Sequence, residues 1–122
     1  MGGDELYVCD TGNHRLQVFS LTGEHRRSIV GEWRSPVRLC FAKDRLYLLE
    51  QSNREAPVQG RRIFVLSLQG DILQVVTHPT EPTAKFTSIC CFDHKLLASY
   101  IYYTECAIGR LSKHGVLALQ GL

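Results

Sequence analysis

The segment Val18-Phe-Ser-Leu-Thr-Gly-Glu24 returns as Val65-Leu-Ser-Leu-Gln-Gly-Asp71, and more loosely as Gly109-Arg-Leu-Ser-Lys-His-Gly115. Two further anchors recur with it. Asp4-Glu-Leu-Tyr-Val8 comes back as Asp44-Arg-Leu-Tyr-Leu48 and as His94-Lys-Leu-Leu-Ala98. Val37-Arg-Leu-Cys-Phe41 comes back as Ser88-Ile-Cys-Cys-Phe92. The anchors keep one order at spacings of roughly 40–50 residues, a period that marks stacked repeat units. The runs between the turns are short, β-branched and aromatic, with no helical stretch, so the units are sheets and not a helical solenoid.

The pattern predicts strands at 5–10, 15–20 and 26–30 in a first unit, and at 36–41, 45–50, 62–67 and 72–77 in a second. A third unit has strands at 86–92, 95–101, 105–111 and 115–119. The units span 4–31, lacking an innermost strand, then 35–77 and 85–120. Ser35-Pro36 and His78-Pro-Thr-Glu-Pro82 are connectors, because proline cannot serve a sheet interior. The long link 51–61, with Pro57 and Gly60, is an insertion expected to be exposed and mobile. Leu46-Tyr-Leu-Leu49, Ile63-Phe-Val-Leu66 and Leu96-Leu-Ala98 do not alternate. A sheet covered on one face would alternate, so both faces are expected to be buried.

The sharpest local motif is Asp10-Thr-Gly-Asn-His-Arg15, a polar turn between Leu6-Tyr-Val-Cys9 and Leu16-Gln-Val-Phe19. Gly and Asn tolerate positive φ, so this is a hairpin loop. Asp10 is expected to accept from loop amides, and Arg15 to reach back to Asp10 or a loop carbonyl. This motif, with Gln-Val-Phe and then Gly23, resembles the signature of the NHL repeat closely over residues 5–24 and only in outline beyond. The resemblance implies an all-β fold, a partial β-propeller of NHL-type four-stranded antiparallel blades in an incomplete ring. It makes Asp10, Asn13 and Arg15 structural, with Glu50 the matching acid of the second blade, followed by Asn53-Arg54. The third blade has Ser99-Tyr100 there and has lost the acid.

The chain has 122 residues, 44% of them hydrophobic, and a formal net charge of +2. Arg26-Arg27 and Arg61-Arg62 are its only basic pairs, far from the clustered footprint of a nucleic-acid binder. They read as solvated outer-strand residues. No run approaches a membrane span, so no membrane partner is expected. Five cysteines at 9, 40, 90, 91 and 106 lack Cys-x-x-Cys spacing and sit mostly in apolar runs. They read as buried free thiols in a reducing, cytoplasmic setting. Cys90 and Cys91 point to opposite strand faces, so at most one meets His94, and nothing nearby is positive enough to activate a thiol. The histidines show no metal-ligand spacing. No cofactor, metal or catalytic residue is expected.

His14, in the loop, and Tyr100, Tyr102 and Tyr103, at a strand-to-loop junction, are the candidate binding residues. Three units fall short of the roughly 4–8 blades of a closed propeller. The end blades are expected to expose Leu16, Val18, Leu96 and Ile108. Such faces imply further blades, self-association into a ring, or a small twisted structure capped by local rearrangement. The resemblance implies a non-catalytic binding module presenting rim loops to a protein partner. Its parent would be a ubiquitin-ligase-like or signalling protein, with this chain the substrate-recognition part. An RNA-binding propeller surface and a fragment of a six-bladed metal-dependent lyase or hydrolase are the alternatives. An enzyme needs inward His, Asp or Glu, which Pro36–Phe41 and Phe86–Phe92 do not offer.

Overall fold

The structure, a computed structural model, describes residues 4–92 and 95–119; of residues 105 and 106 only the backbone is described. His94 lies outside this range. The first sheet holds β1 (Glu5–Asp10), β2 (Arg15–Ser20) and β3 (His25–Ile29). The second holds β4 (Pro36–Ala42), β5 (Arg45–Glu50), β6 (Arg62–Ser67) and β7 (Ile72–Thr77). The third holds β8 (Lys85–Phe92), β9 (Lys95–Cys106) and β10 (Gly109–Leu119). Every pairing is antiparallel between sequence neighbours. The first strands of the sheets lie side by side, β1 on β4 and β4 on β8, while each connector leaves from the last strand. This is a run of propeller-type blades, all-β, with the ring open. Among the described residues no helix is long and apolar enough to cross a membrane.

Two hydrophobic layers hold the blades together, and both are shared by the middle sheet. Leu46 and Leu48 of β5, with Phe64 and Leu66 of β6, pack on Leu16, Val18, Ile29 and Trp33 of the first blade. Tyr47 and Leu49 of β5, with Ile63 and Val65 of β6, pack on Phe86, Ile89, Leu96 and Ala98 of the third. Successive strand residues point to opposite faces. An unbroken apolar run therefore supplies both layers at once. Trp33, in the connector and buried, was not legible as core from the strand pattern.

The repeat extends to backbone detail. Ser20 donates its N–H to the Glu24 carbonyl and accepts the Glu24 N–H at Oγ, while the Gly23 N–H returns to the Ser20 carbonyl. Ser67, Asp71 and Gly70 make the same three bonds. The pairing slips at Val18/Phe19 in one blade and at Val65/Leu66 in the other. Cys40 and Cys91, matched by the sequence repeat, lie with Sγ atoms 2.7 Å apart.

Three expectations change. The third blade is not four-stranded: the expected strands 95–101, 105–111 and 115–119 merge into one long hairpin, β9–β10, whose turn is Ala107-Ile108, and the expected links at 102–104 and 112–114 are strand. Gly115 faces Tyr100 across β9–β10, where a Cβ would overlap the phenol. Gly115 lies in a strand, as expected, and its lack of a side chain answers this close approach. Leu16, Val18 and Leu96 are buried between blades. The exposed apolar residues of the end blades include Leu6 and Val8 on β1 and Leu21 and Val30 in the turns of the first blade, and Phe92, Leu111 and Val116 on the third, with Ile108 exposed in its turn. The link 51–61 is exposed only in part, because Gln59 and Gly60 are buried and the Gly60 carbonyl accepts the Phe86 N–H at 2.7 Å.

Candidate binding site at the loop rim

The β1–β2 loop starts and ends on the paired residues Asp10 and Arg15. Between them Thr11–Asn13 make a 3-10 turn, and His14 reverses the chain at φ 53°. The Asp10 carboxylate accepts from Arg15 Nε at 2.8 Å, Asn13 Nδ2 at 3.0 Å and Gln17 Nε2 at 3.3 Å. The donors are side-chain groups; no backbone amide caps the turn through Asp10, contrary to the sequence expectation. The Arg15 hydrogen bond, helped by Asn13, holds the Asp10 carboxyl below its ordinary range. Thr11 Oγ1 donates to the Pro36 carbonyl at 2.7 Å, and the Ser35 N–H donates to His14 Nδ1 at 3.0 Å. The loop thus fastens the connector into the second blade, and one imidazole nitrogen of His14 is engaged in doing so.

Glu50 occupies the same corner one blade on, fully buried. Its carboxylate takes two bonds from Arg62, at 2.6 and 2.9 Å, and one from the Arg34 N–H at 2.7 Å. The arginine is Arg62, beyond the insertion, and not the Arg54 that follows Glu50 in sequence. A long loop leaves the strand ends paired, so the partner is found by register and not by spacing.

Beside that corner the second and third blades line an open cavity of about 830 Å³. Val37 and Ile101, half-buried, and Leu49 and Phe86, buried, are its apolar lining. Arg38, Arg54 and Arg61 line it from the second blade, and Lys85, Arg110 and Tyr103 from the third. Among the described residues Glu50 is the one carboxylate in the lining, and Arg62 already holds it. Arg61 Nε is withdrawn from solvent without a hydrogen-bond partner among the described residues. These cations come from four separate segments, β4, the link 51–61, β8 and β10, so no local run signalled the cluster. Arg61, half of a basic pair, was its one visible trace.

The tyrosines separate. They lie inside β9, not at a strand-to-loop junction. Tyr100 and Tyr102 stack at 6.2 Å, and Tyr100 meets the buried His78 ring edge-on at 4.3 Å. Tyr103 is on the other face, in the cavity lining, 51% exposed and 4.2 Å beneath the Arg110 guanidinium. The basic pairs divide as well. Arg27 bonds Glu5 at 2.8 Å, the Tyr7 hydroxyl at 3.0 Å and the Leu68 carbonyl at 3.2 Å, bridging two blades instead of standing in solvent. Arg62 belongs to the Glu50 corner, and Arg61 to the cavity.

Of the described thiols, Cys9, Cys40 and Cys91 are half-buried and Cys90 is exposed, so the expectation of buried cysteines holds for none of them fully. Burial pushes Cys9 up to about 11 and raises Cys40 further. Among the described residues no three His, Cys, Asp or Glu side chains converge as metal ligands would.

No curated protein matches the chain. Residues 1–19, which include β1, the Asp10–Asn13–Arg15 corner and most of β2, match the family model described as the NHL repeat.

Proposed function

We propose that the chain is a non-catalytic binding module whose loop rim engages a protein partner, as part of a larger recognition protein. The observation that carries this reading is the rim cavity. Its polar lining consists of guanidinium, ammonium, hydroxyl and amide groups, which recognise, while Glu50, its single carboxylate among the described residues, is tied down by Arg62. A general base or nucleophile needs a free, positioned group beside the reacting atoms, and the cavity is organised around donors instead. It is also built mainly on the strands β4, β5, β8, β9 and β10, with the link 51–61 at its edge, so its side chains are held by the sheet scaffold.

The test is site-specific photo-crosslinking in the native host cell. A photoreactive residue replacing Tyr103, in the rim cavity, is expected to yield a discrete protein adduct. One replacing Val75, exposed on the outer strand β7, is expected to yield none. Equal labelling from both positions, or an adduct to nucleic acid only, would overturn the proposal.

A further inference from the structure

We propose that the cavity between the second and third blades receives an acidic peptide segment of a protein partner, with Arg38, Arg54, Arg61, Lys85 and Arg110 as the groups that bind its carboxylates. This deepens the reading above and rests on it.

The charge pattern points that way. The ion pairs among the described residues belong to Arg15, Arg26, Arg27 and Arg62. None of the five cavity cations reaches a described carboxylate, although the chain as a whole is near neutral at +2. Like charges gathered on facing walls repel one another and focus a positive potential into the space between them, which an incoming anion relieves. Arg61 Nε adds a donor that lacks an acceptor. A carboxylate arriving at that guanidinium meets the planar fork geometry that suits it.

The shape favours a peptide over a compact anion. A cavity of about 830 Å³ has room for several side chains. Val37 and Ile101, half-buried, are the apolar side chains the lining can offer, Leu49 and Phe86 being buried, so the complementary strand carries acidic residues with apolar ones among them. A bare phosphate is usually cradled by backbone N–H groups at a helix N-terminus or a glycine-rich turn, and no helix contributes to this lining. Single-stranded RNA needs aromatic faces on which bases stack. Here the ring of Tyr103 is already covered by Arg110, and Phe86 is buried.

Fluorescence anisotropy with the full chain tests this. The probes are a labelled synthetic peptide alternating Glu and Leu, its counterpart with Lys for Glu, and a labelled oligouridine. The Glu–Leu peptide is expected to bind, and to weaken as salt rises. The Lys counterpart is expected not to bind. Arg38 and Arg54 are exposed, so the double variant Arg38→Gln/Arg54→Gln should keep its thermal transition and lose affinity by about tenfold or more. Lys113→Gln, on β10 outside the lining, should bind as the parent does. Equal affinity for the Lys peptide, unchanged affinity in the double variant, or tighter binding of the oligouridine would overturn the proposal. A second measurement does not depend on the variants. If the Glu–Leu peptide fails to compete with a protein adduct formed at Tyr103, the binding-module reading stands and the acidic-peptide class falls.

Discussion

Two acid–arginine corners built on one plan differ in what they are worth, and burial decides it. Glu50 is out of solvent and its carboxylate is satisfied three times, whereas Asp10 keeps a quarter of its side chain in water. Removing one partner of a buried pair strands the other, at a cost of about 3–5 kcal/mol. Glu50→Ala is therefore expected to destabilise by about 3 kcal/mol in urea unfolding, since Arg62 retains some access to solvent. Asp10→Ala should cost distinctly less, because water can replace the lost contacts. A cost for Asp10→Ala equal to that for Glu50→Ala would show that register, not burial, sets the value of the corner.

Asp10 also makes a pH prediction. Its folded-state carboxyl titrates below the ordinary value, chiefly through the Arg15 hydrogen bond. A depressed folded pKa contributes stability above the unfolded value of about 4, and that contribution disappears as pH falls through the folded value. Glu5, held low first by its hydrogen bond from Arg27, acts in the same direction. Stability should therefore fall on acidification below about pH 4. Carboxyl NMR should place the Asp10 midpoint below that of a free aspartate, and Arg15→Ala should move it upward.

At the level of elements, the repeated turns set a controlled comparison. Gly23 and Gly70 hold equivalent positions at φ 93° and 100°. Around Gly23 there is open space, but a Cβ on Gly70 would drive into Ile29 Cγ2 of the neighbouring blade. Gly23→Ala should cost about 1 kcal/mol of backbone strain, and Gly70→Ala more, by roughly 1–3 kcal/mol for the added overlap. Thermal unfolding of the two variants reads the difference. On β8, strand alternation makes a second contrast, between Cys90, exposed, and Cys91, half-buried against Cys40. Peptide-resolved alkylation near pH 8 should label Cys90 first and Cys40 far more slowly, because burial raises the Cys40 thiol and leaves little thiolate.

These elements also show what a sequence can and cannot display. The hairpin at Asp10–Arg15 was legible because its turn chemistry and its flanking runs agree locally. The long β9–β10 hairpin was not, because the links expected at 102–104 and 112–114 are strand, a pairing that depends on register. The Glu50–Arg62 pair was hidden by the insertion between its members. The cavity was hidden more deeply, since Arg38, Lys85 and Arg110 become neighbours only when two blades meet.

For the molecule as a whole, the apolar runs without alternation correctly implied a middle blade buried on both faces. They did not reveal which face of an end blade looks inward, because either choice satisfies the same pattern. Pairing resolves it. Tyr7 and Cys9 sit opposite Val18 and Leu16, which puts Leu6 and Val8 on the outer face of the first sheet. On the third sheet Phe92 and Val116 are exposed on the outer face, while Leu111 is exposed on the same side of β10 as Leu117 and Leu119. Two apolar surfaces at opposite ends of one array are complementary in kind, and a head-to-tail contact between them repeats without using either surface twice. The chain by itself is therefore expected to associate as its concentration rises, which sedimentation velocity will show as a shift to larger species. Val8→Lys at one end and Val116→Lys at the other should each suppress the shift, since a lysine ammonium resists removal from water. Combining them should add little, because one contact needs both surfaces. An unchanged distribution in both single variants would mean that these faces do not meet, and association, if present, would have to run through the open strand edges instead.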